Sequence, residues 1–462
     1  MKKQNHVAFF NILSTVLLRG ISFFTAPLFA SLLNTDGYGI ANTHNVWVSI
    51  LAIVFTLQTQ GTLVNARVEY CEEEQPRYQS SVMALSLCFF LCCSAVVLLL
   101  ISPISSLLKM DNILIVLLLL QAFGTFSVNF MNSKLTYELK ADKNMVLSVS
   151  TALLTLGLSL LFIYLMPAEK SYLGRILGIS LTYGALGFFF CGYTLLRGKT
   201  FFSRDYWKFC NALAIPLVFY NLSDLLLGHS DLVMLRQMRG DDLSGIYGYA
   251  FNFGIVIFTI FTALNNTWVP FYFEDMKHGR REEIFAKAKN FLELYTVLSM
   301  GFILLTTEVF HLYAPPDYRS GTMLIPLFVA SHYVNFLCTF PINYEYFHKR
   351  VKVVAAVTIA TSFINIALNY ILITHIGMAG AAMATLASHF LQFALHYGYT
   401  RYYLGKLDYP FGIRLWGKYA AIFLLTMALV YLTPNGWLLR WGLGATLGCW
   451  ELWQIRKRKV LI

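Results

Sequence analysis

The chain has 462 residues, 57% of them hydrophobic and 13% charged, and carries a formal net charge of +11. Soluble domains average about a quarter charged residues, so a water-soluble globular fold is excluded. The basic excess is dispersed over short connections between apolar runs and forms no patch, which excludes nucleic-acid binding as a function.

The first apolar run starts behind Lys2 and Lys3 and superficially resembles a secretory leader. It continues to Leu33, holds Arg19 at its middle and lacks a small-residue cleavage site, so it reads as an uncleaved first span. Apolar runs of bilayer-crossing length then recur to the end of the chain. Fourteen helical spans are predicted, at 8–33, 40–65, 80–102, 112–134, 145–166, 172–196, 209–235, 245–272, 289–313, 321–344, 351–374, 377–400, 415–433 and 436–455. The runs are continuous and do not alternate, which excludes a β-barrel. The expected fold is an all-α integral membrane protein.

Basic residues alternate between connections. One set is rich in them, including Lys2, Lys3, Arg67, Arg77, Lys140, Lys143, Arg197, Lys208, Arg280, Arg281, Arg350, Lys406 and the closing Arg456, Lys457, Arg458 and Lys459. The other holds only Lys109, Lys170, Arg175, Arg236, Arg239, Arg319 and Arg440. By the positive-inside rule both termini are expected in the cytoplasm, with the chain in the cytoplasmic membrane.

The chain also repeats itself. The run from Leu33 through Asp36, Gly37, Tyr38 and Gly39 ahead of span 2 parallels Asp242 through Gly245 and Tyr247 ahead of span 8. Tyr137-Glu138 parallels Tyr344-Glu345, and Gly174 and Gly178 of span 6 parallel Gly380 and Ala384 of span 12. The offset is nearly constant, a little over two hundred residues. Six spans followed by six give halves of the same orientation, related by an axis along the membrane normal. The expected organisation is an N-terminal lobe (1–200), a C-terminal lobe (201–405) and a closing helix pair (406–462). Gly444 and Gly448 in that pair have the spacing that lets helices approach closely.

Span 7 carries the most informative residues. Asp224, His229 and Asp231 interrupt a run long enough to cross the bilayer, where a carboxylate costs roughly 2.5–3.5 kcal/mol. Such groups normally face a protein interior or a wet cavity. Asp224 and Asp231 are nearly two turns apart and share a face, with Asn221 on a neighbouring line. They are candidates for coupling a proton or a sodium ion to transport, the alternative for Asp231 being a structural pair with Arg236 or a helix cap. His229 points elsewhere and reads as a packing residue. Arg19 lies midway along span 1, the repeat's counterpart of span 7, so it is expected to face Asp224 across a cavity. Its guanidinium suits phosphate oxygens, and an internal ion pair with Asp224 is the alternative.

Among the remaining polar groups within spans, Gln58 and Gln60 of span 2 and Asn265 and Asn266 of span 8 occupy similar points and are candidate substrate contacts. Interhelical hydrogen bonding is the default for the others, including His332, Asn365, Asn369, His389, Gln392 and His396. Eight cysteines form no framework or metal spacing and act as apolar filler. The segment Gly192 to Thr200 mimics a phosphate-binding loop but has one residue too many between its glycines and ends a membrane helix. There is no hydrolase or zinc motif, so an enzyme is not expected.

Ala214-Ile-Pro216, Ser223-Asp224, Ser230-Asp231 and Gly245-Ile-Tyr247, with Gly37-Tyr38-Gly39 and the run from Gly377 through Gly380 to Thr385, resemble the polysaccharide-exporter branch of the MOP (multidrug/oligosaccharidyl-lipid/polysaccharide) superfamily. The resemblance covers the whole chain. It implies a MATE-like V of two six-helix lobes and the flipping, by alternating access, of a polyprenyl-diphosphate-linked oligosaccharide from the inner to the outer leaflet. It also implies pathway partners, a glycan polymerase and glycosyltransferases. Leu232 stands where an Arg commonly follows the family's Ser-Asp, so no charged pair is carried over at Asp231. The alternative is a MATE-like drug/cation antiporter. A lipid II flippase is a poorer match because only Arg19 and Arg175 are basic in the first-half spans, and a glycan polymerase would need a large outer loop.

Overall fold

The computed structural model describes residues 2–405 and 412–457, with only the backbone described for Lys2 to His6, Ala8 and Ile12. Lys406, Arg458 and Lys459, counted above among the basic residues, lie outside the described residues. Helices dominate, and no strand occurs among the described residues. The helices are α1 (Lys2–Val54), α2 (Leu63–Glu69), α3 (Gln75–Leu99), α4 (Ile101–Leu108), α5 (Asn112–Tyr137), α6 (Ala141–Leu165) and α7 (Ser171–Gly198). They continue as α8 (Arg204–Arg239), α9 (Asp241–Lys277), α10 (Arg281–Tyr313), α11 (Ile325–Phe347), α12 (Val351–Gly398), α13 (Ile413–Leu432) and α14 (Trp437–Lys457).

Eleven helices among the described residues are long and apolar enough to cross a membrane. Two of the eleven are pairs joined at a kink: α1 turns at Asn34 and α12 at Ile376–Gly377. Counting both halves of each, together with α14, gives the fourteen spans read from the sequence. Exposed Leu, Phe, Val and Ile side chains stud the outer faces, among them Leu99, Leu154, Phe188, Phe363 and Leu425. A surface of that kind is solvated by lipid, and the chain is a multi-pass membrane protein.

One span departs from expectation. Span 2 was expected as a single helix over 40–65, yet the helix ends at Val54 and the backbone unwinds before a 3-10 turn at Thr59–Thr62 and the short α2. Leu57 and Gln58 both take left-handed geometry, with φ of 56° and 52°. Non-glycine residues pay about 1–2 kcal/mol each for this. Side chains satisfy the backbone that the break releases. Ser86 Oγ donates to the Thr56 carbonyl at 3.0 Å and lies 2.6 Å from Thr59 Oγ1, while Thr62 Oγ1 donates to the Thr59 carbonyl at 2.8 Å and meets the Tyr78 hydroxyl at 2.7 Å. A helix rich in Thr and Gln can break inside a membrane protein because these groups replace the missing ladder.

The chain forms two compact units, one of residues 1–229 and 239–245, the other of 230–238 and 246–462. The division is by contact and runs through α8, whereas the repeat puts the lobe boundary ahead of that helix. In unit 1 the α5–α7 and α6–α7 packings rest on glycines. A Cβ on Gly124 would run into the Tyr183 carbonyl, and Gly174 and Gly178 are pressed on the backbone of Phe162 and Ser159. Without hydrophobic driving force between helices in lipid, such close backbone approach supplies the packing. In unit 2, α12 folds back on itself at Gly377, whose φ of 58° and ψ of −132° suit only glycine, and Gly380 is pressed on the Leu372 carbonyl. An aromatic core made of Phe291, Tyr295, Tyr333, Phe336, Phe340, Trp416 and Phe423 joins α10, α11 and α13, with Tyr333 stacked on Phe423 at 4.5 Å. Helix α14 is fastened to α10 by the fully buried Arg440, which pairs with Glu308 and donates to the Thr433 carbonyl at 2.9 Å; Trp441 Nε1 donates to the other Glu308 oxygen at 3.1 Å.

Candidate functional site

Between α8 and α9 stands Gly240, whose φ of +103° suits glycine. The turn brings Tyr247 against Asp231, sixteen positions earlier. Asp231 is 2% exposed. Its Oδ2 accepts the Tyr247 hydroxyl and, at 3.2 Å, the Thr385 hydroxyl of α12; its Oδ1 accepts the Leu232 amide at 2.8 Å. The partners are hydroxyls and an amide, not Arg236, so the structural pair considered for Asp231 does not form. Three donors are what a buried carboxylate needs to remain there without a counter-charge.

The cluster continues through Ser230, which donates to Asn365 Oδ1 at 2.9 Å. Asn369 Nδ2 donates to the same oxygen at 2.9 Å and to Ser230 Oγ at 3.3 Å, and Asn365 Nδ2 donates to Ser388 Oγ at 3.1 Å. The fold-back of α12 brings Asn365 and Ser388 face to face. Asn369 Oδ1 is buried and accepts nothing. A carboxylate, amide oxygens and hydroxyls converge here with no basic side chain bonded to the carboxylate. Oxygen donors of this kind suit a hard cation or a proton. Among the described residues no group of three or more His, Cys, Asp or Glu side chains is arranged to hold a metal ion.

The candidates of unit 1 are differently placed. Arg19 and Asp224 are both exposed, and no hydrogen bond or ion pair joins them or any other described residue to either; the internal ion pair considered for them is absent. Asn221 is half-buried and also makes no hydrogen bond among the described residues. Asp224 and Asp231, expected to share a face of α8, differ in burial, the first exposed and the second sealed. Gln58 and Gln60 lie in the unwound segment, where Gln60 Nε2 donates to Gln58 Oε1 at 2.9 Å and Gln60 Oε1 is left buried without a partner. In unit 2, Asn265 is half-buried with an unpartnered Oδ1, while Asn266 is exposed. The structure therefore gathers Asp231 with residues the sequence reading gave no role here: Tyr247, Thr385 and Ser388. Asn365 and Asn369 were set aside as ordinary interhelical contacts. Their spacing of four, one turn apart on a face, was the available signal.

A family model described as polysaccharide biosynthesis protein matches residues 7–276. No curated protein is similar to the chain at a significant level. Among solved structures, a lipid II flippase, MurJ, in an inward closed conformation is similar at TM-score 0.71 and 14% identity, covering 98% of this chain and 99% of that one. An inward-facing multidrug-resistance MATE transporter of the MOP superfamily is similar at TM-score 0.64 and 15% identity, covering 86% and 95%. A MOP superfamily transporter from Pyrococcus furiosus follows at TM-score 0.57 and 16% identity, covering 86% and 96%.

Proposed function

Because the chain belongs to the polysaccharide biosynthesis protein family, a branch of exporters within the MOP superfamily, we propose that it flips a polyprenyl-diphosphate-linked oligosaccharide from the inner to the outer leaflet of the cytoplasmic membrane. The family match carries this reading, and the open guanidinium of Arg19 supports it. An arginine exposed in a span without a carboxylate partner is available to phosphate oxygens. Gln58 and Gln60, on a broken helix whose backbone is irregular inside the membrane, and Asn265 and Asn266 on α9 are the proposed sugar contacts. Irregular backbone at this depth is tolerated where it is buried or lines a water-filled path.

Transport is coupled, in this reading, to a proton or a sodium ion held by Asp231. Asn365, Asn369 and Thr385 supply neutral oxygens, and the unpartnered Asn369 Oδ1 fits such a ligand. Asp224, which is exposed, and the half-buried Asn221, neither bonded to a described residue, are the second candidates. Termini in the cytoplasm follow from the distribution of Lys and Arg, and a polymerase and glycosyltransferases of the same pathway are the expected partners.

The test reconstitutes the full-length chain in proteoliposomes with a short-chain polyprenyl-diphosphate oligosaccharide and follows its appearance in the opposite leaflet. Arg19→Ala is expected to abolish flipping with folding intact, and Asp231→Asn to remove the dependence on a cation gradient. Full flipping by Arg19→Ala sinks the phosphate role. Export of organic cations with no lipid flipping would favour the drug antiporter.

A further inference from the structure

A second buried ionisable group shares a helix face with the Asp231 cluster. Thr385, His389, Gln392, His396 and Thr400 follow one another at three or four residues, with Ser388 next to His389, and all six are buried. They form one stripe along the second half of α12 and into the turn after it. At the far end of the stripe His396 Nδ1 lies 3.0 Å from both carboxylate oxygens of Glu345 on α11, and both side chains are 0% exposed. His396 Nε2 is buried and makes no hydrogen bond. Between the ends, His389 Nδ1 lies 3.3 Å from Gln392 Oε1, and Gln392 Nε2 donates to Thr358 Oγ1 at 3.4 Å. The rise from Thr385 to His396 is roughly 16 Å, about half the thickness of the hydrocarbon core.

The fold does not require this pair. In the repeat, the counterpart of Glu345 is Glu138, which is partly exposed and bonded to the surface Lys140 at 2.5 Å. The counterpart of His396 on α7 is Phe190. A half-chain built to the same plan thus manages without a buried ionisable pair at this place. Such pairs are expensive in a membrane interior and contribute little net stability, so their presence points to function.

The chemistry is that of a proton acceptor. With Nδ1–H donating to the carboxylate, Nε2 keeps its lone pair, and the pair carries one negative charge. A proton arriving on Nε2 converts it to an imidazolium–carboxylate pair of zero net charge, and release of that proton restores the starting state. Other titratable or charged groups stand at this end: the turn after α11 carries Lys349 and Arg350, and the Arg350 amide donates to the Glu345 carbonyl at 2.8 Å. The Cys338 thiol on α11 is close enough to feel Glu345, the His348 ring stacks on Tyr344 at 4.5 Å, and Arg401 acts on Tyr397 in the turn after α12.

We infer that Glu345 and His396 form a proton-binding site, and that the polar stripe of α12 links it to the Asp231 cluster. The link to transport rests on the flippase reading above; the proton binding does not. The test is therefore first made without substrate. The purified full-length chain in lipid nanodiscs, labelled on glutamate, is titrated between about pH 5 and 8 by infrared difference spectroscopy. Wild type is expected to show an imidazole protonation coupled to a shift in one glutamate carboxylate band. Both signals vanish in Glu345→Gln and in His396→Gln, and proton uptake on a pH jump falls by about one per chain. A wild-type spectrum with no titrating glutamate–imidazole pair overturns the inference, and that measurement stands even where neither variant folds. So does a titration unchanged in both variants. In flipping assays Glu345→Gln is expected to flatten the pH profile; an unchanged profile removes the link to transport. A chain that titrates as described but never flips lipid overturns the flippase reading and leaves the site intact.

Discussion

The bond between Tyr247 and Asp231 can be weighed by a double-mutant cycle. Tyr247 is 1% exposed and donates its hydroxyl to a carboxylate that has two other donors, Thr385 at 3.2 Å and the Leu232 amide at 2.8 Å. In wild type, Tyr247→Phe leaves the buried charge one donor short, and hydrogen bonds to charged groups are worth about 1.5–3 kcal/mol. In an Asp231→Ala background the same change removes a hydroxyl that has already lost its charged acceptor. There its effect is expected to be neutral or stabilising by up to about 1 kcal/mol, since a buried hydroxyl without a good acceptor is itself a cost. The coupling energy is therefore about 1.5–3 kcal/mol or somewhat more, read from denaturant midpoints of the four full-length proteins in detergent micelles. If Tyr247→Phe costs the same in both backgrounds to within about 0.5 kcal/mol, the two side chains do not act together and the carboxylate is held by something else.

Gly124→Ala drives a methyl into the Tyr183 carbonyl and is expected to destabilise by at least about 1–3 kcal/mol; Gly157→Ala, with nothing within 4 Å, is the control and is expected to gain up to about 1 kcal/mol in the same unfolding assay. Glu308→Ala strands the buried Arg440 and is expected to cost roughly 3–5 kcal/mol, whereas Glu308→Met with Arg440→Met recovers most of that loss; equal losses in the single and double variants would refute the pairing. Gly377→Ala forces a side chain into φ 58°, ψ −132°, for an expected loss of about 1–3 kcal/mol at the fold-back of α12.

The spans were legible because apolar length is nearly sufficient to define a membrane helix, and the glycines on which the repeat was read, Gly174, Gly178 and Gly380, stand at close backbone contacts. What the chain could not announce is how its polar residues pair. Asp231 meets Thr385 across 154 positions, and Glu345 meets His396 across 51; in a single sequence those separations carry no signal. Glu345 served only as a landmark of the repeat, and His396 as one of many polar groups within spans. The break at Leu57 and Gln58 was hidden for a different reason. Neither residue type favours left-handed backbone, so the cue lay only in the density of Thr and Gln around Gly61, which also suits an intact helix with interhelical bonds. The face shared by Asp224 and Asp231 follows from helical periodicity, but periodicity says nothing about what surrounds a helix at each turn.

The ion pair between Arg440 and Glu308 bears on how the protein is made. Helix α14 is not among the described helices apolar enough to cross a membrane, and it carries the buried Arg440 in its first turn, where a charge opposes insertion by less than the roughly 2.5–3.5 kcal/mol of a central one. Helix α10 passes that threshold and already contains Glu308 when α14 leaves the ribosome. The buried guanidinium of the final helix therefore meets its acceptor on a helix made earlier in synthesis. Docking of the last helix is then expected to require the correct placement of a helix made more than a hundred residues before it.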